Sequence, residues 1–170
     1  DRHPRLMRWA LSSHMCAKRL SDRKSPVISN LKKIKELELT KPVTFIVGEN
    51  GVGKSTLIEG IAVAMGFNAE GGSINFCFST KESHSNLHEY ITVGRGCRKH
   101  KDGFFLRAES FYNVASNIDY LDKDGGGPPI ISSYGGISLH EQSHGESFMA
   151  LVENRFFGNG LYILDEPEAA

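Results

Sequence analysis

The sequence predicts an α/β fold with a largely parallel central sheet flanked by helices, and three observations carry that prediction. A β-rich apolar run at residues 43–47 ends in a glycine-rich loop that opens a helix. A second apolar run, at 161–164, ends in Asp165-Glu166. Between the two, strand-like and helix-like stretches alternate, the order from which parallel βαβ units are built.

The elements follow in order. Residues 1–25 show no clean period; a short helix over 6–20 is compatible with them, but nothing rests on it. Ile34, Leu37 and Leu39 point to a first strand near 36–40. Residues 43–47 read as a buried strand. After the loop, Leu57, Ile58, Ile61, Ala62 and Met65 recur at helical spacing. Gly66, then Gly71-Gly72, end that helix. Residues 74–79 and 90–93 are weaker strand candidates and 104–106 a stronger one. A helix is predicted over 110–121, a loop over the DKDGGGPP stretch at 122–129, and a helix from about 145 to 157 burying Phe148, Leu151, Val152 and Phe156. The turn Gly158-Asn159-Gly160 leads into the last strand, 161–164.

With 170 residues the chain is long enough for one domain with its own core. Hydrophobic and charged shares of 39% and 24% exclude a disordered composition. No apolar run reaches the roughly 18 residues of a membrane-spanning helix, and no signal-peptide core is present, so a cytoplasmic protein with no membrane partner is expected. Cys16, Cys77 and Cys97 are odd in number and form no CxxC pair, which suits reduced thiols. Residues 1–41 hold 11 Lys and Arg against 4 Asp and Glu, whereas 42–170 hold 9 against 16. A basic arm suits nucleic acid or another polyanion, but a solvated, partly disordered leader over residues 1–30 is the plainer reading. The chain starts at Asp1 and stops soon after Pro167, and a fragment is expected, with 31–170 as its domain.

Gly48-Glu49-Asn50-Gly51-Val52-Gly53-Lys54-Ser55 fits the P-loop pattern G-x-x-x-x-G-K-[ST], between a strand and a helix as its mechanism requires. Gly48, Asn50, Gly51 and Gly53 let backbone N–H groups encircle a β-phosphate. The helix start, Lys54, Ser55 and Thr56, adds partial positive charge. Lys54 reaches the β- and γ-oxygens and the Ser55 hydroxyl ligates magnesium. A chance glycine turn is the competing reading, and the strand–helix context decides against it. At the end of the 161–164 run, Asp165 is placed to hold magnesium through water and Glu166 to orient or deprotonate an attacking water. Alone, such a run is common. Ser143-His144-Gly145-Glu146, 22 residues upstream of Asp165 and opening a helix, is on its own an ordinary N-cap.

Together and in this order, these three elements resemble an ABC-type ATPase domain of the P-loop NTPase class, over roughly residues 37–170. Ser143–Glu146 is similar to the signature written LSGGQ or LSGGE. The stretches GENGVGKSTLIEGIA, GFFLRAESF, LHEQSHGESF and LYILDEPEAA resemble stand-alone bacterial ABC-like proteins described as predicted AAA-family ATPases. The resemblance implies Mg-ATP as the bound species and a head-to-tail homodimer, in which Ser143 and Gly145 meet the nucleotide of the partner's P-loop. It also places Glu109 where the family has its Q-loop glutamine. No aromatic lies in residues 17–44 to stack on adenine. The family's D-loop and switch histidine would follow Ala170, so weak turnover or none is expected of the chain alone. Residues 110–142 leave room for about one helix, and no heptads appear, which favours a compact soluble ATPase over a transporter subunit or a coiled-coil chromosome protein.

Other clusters are discounted. His84, His88, Cys97 and His100 have zinc-like spacing in a polar loop. Arg95, Arg98, Lys99 and Lys101 form a basic knot best read as solvated surface. His140 and His144 do not look catalytic. The expected function is ATP binding and hydrolysis, with a nucleic-acid or protein partner in view. The rivals are a DNA-repair or chromosome-associated ATPase with nucleotide-controlled DNA binding, and a non-hydrolysing nucleotide-binding remnant. No N-K-x-D motif supports a GTPase.

Overall fold

A computed structural model describes residues 15–18, 31, 34, 36–75, 85–94, 100–124, 129–156 and 159–167. The strands are β1 (Met15–Lys18), β2 (Glu36–Leu39), β3 (Gly72–Ser73), β4 (Thr92–Gly94), β5 (Asp102–Arg107) and β6 (Gly160–Asp165). The helices are α1 (Lys54–Met65), α2 (Phe111–Asp124) and α3 (His144–Arg155), and short 3₁₀ turns fill several of the connections.

The core is built around β5. Its residues Gly103 to Leu106 are all buried, as a strand covered on both faces must be. On one face Phe105 packs with Ile61, Ala62 and Met65 of α1, and Leu37, Val93 and Ile163 close the cluster. On the other, Phe104 and Leu106 meet Val114 and Ile118 of α2 and Leu151 of α3. The alternation of side chains along a strand thus sends α1 to one side and α2 with α3 to the other. Gly103 is glycine for a local reason. A Cβ there would come within 2.7 Å of the Phe67 ring and 2.9 Å of the Leu161 carbonyl oxygen.

Among the described residues two three-stranded sheets form, in the orders β2-β1-β4 and β3-β5-β6. Against the expected largely parallel sheet, the pairing among the described residues is mixed: there only β5 and β6 pair in parallel, and the other described pairings are antiparallel. Parallel neighbours need a long crossover. Among the described elements, the β5–β6 connection alone carries its crossover, α2 and α3, between two parallel strands of one ladder.

Residues 43–47 are a second correction. They stand outside every described ladder, and Val43, Phe45 and Val47 are 63%, 84% and 86% exposed. An apolar run is buried only where neighbours cover it, and none of the described strands pairs with this one. Residues 15–18 form β1, inside the stretch where a helix was compatible with the sequence. Of the weak candidate at 74–79, β3 takes the residues just before it, Ile74 is exposed, and 76–79 lie outside the described residues. The other predicted strands and helices appear with ends shifted by at most three residues.

Candidate nucleotide-binding site

The loop before α1 takes its shape from glycine. Gly51 and Gly53 have φ of 80° and 97°, in the left-handed region that side chains other than glycine rarely enter. Gly53 is the N-cap of α1, so this helix start has no side-chain cap, and its first turn carries no acidic residue. The leading N–H groups and the positive end of the helix dipole are therefore left for an outside anion. The Lys54 ammonium lies over the same loop, donating to the carbonyls of Gly48 and Glu49 at 2.9 Å each.

Asp165, the last residue of β6, is 6% exposed and accepts a hydrogen bond from the Ser55 hydroxyl. That contact joins two sequence motifs 110 positions apart. Burial raises the Asp165 pKa above its usual value; the Ser55 hydrogen bond and the Arg107 charge oppose the rise, while Glu166 and Glu109 add to it. Glu166 follows with φ of 52°, a left-handed conformation uncommon outside glycine, and is exposed. Among the described residues no group of three or more His, Cys, Asp or Glu is placed to hold a metal. A protein cage is thus not what Asp165 and Ser55 make. One buried carboxylate and one hydroxyl are the sparse, hard oxygen set that suits magnesium completed by phosphate oxygens and water.

Sequence reasoning missed two residues that shape this site. Arg107, at the end of β5 and in register with Asp165, is 14% exposed in its side chain. Its Nη1 donates to Glu59 Oε2 at 2.7 Å and to the Ala69 carbonyl at 3.1 Å, and its Nη2 to Glu109 Oε2 at 3.1 Å. Its Nε lies 3.9 Å from Asp165 Oδ2. Glu59 is buried, and its Oε1 accepts the Ser85 N–H at 2.8 Å. The available signals were a glutamate one helical turn beyond Ser55 and an arginine closing a buried apolar run. Glu109, predicted as a metal or water contact, is exposed and is drawn into the site by Arg107.

Ser143, Gly145 and Glu146 form a different kind of helix start. Ser143 caps α3, and its hydroxyl and backbone N–H both donate to Glu146 Oε2, at 2.6 and 3.0 Å. These bonds hold the Glu146 pKa below its usual value. All three residues are exposed, and a Cβ on Gly145 would meet none of the described residues within 4 Å. Of the discounted zinc-like set, His84 and Cys97 lie outside the described residues, as does most of the basic knot.

A family model, that of the AAA domain, matches residues 27–126, more than half of the chain. The chain belongs to the AAA domain family. Membership supports a P-loop α/β fold and an ATP-binding ATPase-like domain. The matched stretch contains Lys54, Ser55, Glu59, Arg107 and Glu109, and it ends before Ser143 and Asp165. No curated protein and no solved structure matches this AAA domain chain. Among the described residues, no helix of the AAA domain is long and apolar enough to cross a membrane.

Proposed function

We propose that this AAA domain binds Mg-ATP between the loop at Gly48–Ser55 and the end of β6, and that it is an ABC-type ATPase working as a head-to-tail pair. The hydrogen bond from Ser55 to the buried Asp165 carries the reading, because it brings the two magnesium-ligating candidates together beside an uncapped helix start. Gly48, Asn50, Gly51, Gly53 and Thr56 line the cradle, and Lys54 exchanges its loop carbonyls for the β- and γ-phosphates. Ser55 would hold the metal directly and Asp165 through water, and the metal would supply charge neutralisation on the phosphates.

Glu166 orients a water in line with the γ-phosphorus. As the bond from water oxygen to phosphorus forms, the bond to the β-bridging oxygen breaks, ADP leaves, and the water proton passes to the Glu166 carboxylate. Glu109, held at the site's edge by Arg107, is a candidate for ordering that water or the metal's hydration. The signature role of Ser143 and Gly145 draws support from the open space over Gly145, since none of the described residues demands a glycine there. Closure on a partner's triphosphate would have Glu146 release the Ser143 hydroxyl.

Titration of a fluorescent ATP analogue in magnesium tests the reading. Lys54→Ala should abolish binding, and Glu166→Gln should bind ATP and remain dimeric. Binding indifferent to Lys54→Ala would sink the proposal.

A further inference from the structure

Arg107 is a buried cation serving more than one carboxylate, and its Nε–H is unused. Nη1 donates to Glu59 and the Ala69 carbonyl, and Nη2 to Glu109. The Nε–H is buried and has no hydrogen-bond acceptor among the described residues. A buried donor left unpaired is costly and rare. Across the β5–β6 ladder stands Asp165, 3.9 Å from that Nε and at present bonded by Ser55. A serine hydroxyl can ligate a metal ion through its oxygen and still donate its proton to a carboxylate, so Ser55 need not leave Asp165 when a metal arrives. The Asp165 Oδ2 atom is then the acceptor beside the idle Nε–H of Arg107, 3.9 Å away.

We propose that Arg107 is a positioning residue for the metal carboxylate. Its Nε–H closes on Asp165 Oδ2 when magnesium and nucleotide arrive and fixes the carboxylate's orientation, while Nη1 keeps Glu59 in place one helical turn beyond Ser55. The guanidinium thereby ties α1 to the end of β6, the two elements that carry the metal-binding oxygens. Lysine would not serve, because only the planar fork reaches Glu59, Glu109 and Asp165 from one position. This inference rests on the nucleotide-site reading above.

The test measures binding of a fluorescent ATP analogue to the full chain, over a magnesium series and in EDTA. Arg107→Gln is expected to raise the magnesium concentration for half-maximal binding by about 10- to 100-fold, the usual scale for losing a partner of a metal ligand, and to leave binding in EDTA unchanged. Arg107→Gln also strands the buried Glu59, so Arg107→Gln combined with Glu59→Gln is measured beside it. The double variant keeps an acceptor for the Ser85 N–H, removes the stranded charge, and should show the same magnesium shift with a melting temperature closer to that of the natural chain. Equal weakening in magnesium and in EDTA would mean that Arg107 only supports the fold, and would overturn the proposal. A natural chain with normal magnesium dependence that neither variant alters would overturn it too. Failure of the natural chain to bind nucleotide at all would instead overturn the site reading, and this inference with it.

Discussion

Asp165 is held at a cost that its proposed ligand would relieve. Its pKa is raised, chiefly by burial, so the folded chain binds that proton more tightly than the unfolded chain does. The sign follows: this contribution favours folding at pH values below the unfolded pKa and is lost as pH rises through the raised folded value. The nucleotide-free chain should therefore melt at lower temperature as pH climbs through that acidic window. Asp165→Asn should flatten the slope and raise the melting temperature at neutral pH, while losing magnesium-dependent nucleotide binding. Thermal melts across pH check this, and parallel curves for the two proteins would contradict it. Lys54 and Ser55 were legible from sequence because their chemistry is contiguous: loop, ammonium and hydroxyl sit within eight residues. Arg107 and Glu59 were not, because they are 48 positions apart and each looks ordinary until the fold pairs them.

Among the elements, α1 and α3 show how a helix start records its use. The start of α1 has neither side-chain cap nor acid, whereas α3 closes its own with a capping box. Gly145 lies in the first turn of α3 with open space around its Cα. Gly145→Ala should thus stabilise the single chain, by at most about 1 kcal/mol from helix propensity. If the α3 start meets a partner's nucleotide, the same change should abolish ATP-dependent dimerisation, and melting beside sedimentation separates the two effects. The inner side of α3 answers to packing. Leu151 is fully buried among residues of α2 and β5, so Leu151→Ala should cost about 2–5 kcal/mol in chemical denaturation. The periodicity of α3 was readable, and so was Leu151. That Ser147 rather than Val152 is the second fully buried residue of α3 depended on how that helix leans on its neighbours.

At the scale of the molecule, two layers of helix enclose β5, and the proposed site opens where β5 and β6 end beside α1. The apolar segment before the loop is outside that enclosure, with Phe45 and Val47 more than four-fifths exposed. Five β-prone, uncharged residues, with Val43, Phe45 and Val47 exposed, invite association with another chain. Phe45→Ser should change unfolding stability by no more than about 0.5 kcal/mol, as expected at an exposed position, and slow concentration-dependent aggregation measured by light scattering. A large loss of stability would mean that the segment is covered in solution. Its burial was predicted from apolar character alone. Character says that a segment gains from being covered; whether a neighbour is present is a property of the assembled sheet.

The sequence by itself determined the local chemistry of this AAA domain: a glycine-shaped loop before a helix, the lysine and hydroxyl at its start, and a carboxylate ending an apolar strand. Each of these depends on neighbours in the chain, where residue type and spacing are enough. Only the tertiary structure decided that Ser55 bonds Asp165, that Arg107 holds Glu59 and Glu109 beside them, and that the sheet is mixed. Those are meetings between distant segments, set by which faces bury together, and no local pattern encodes the distance between them.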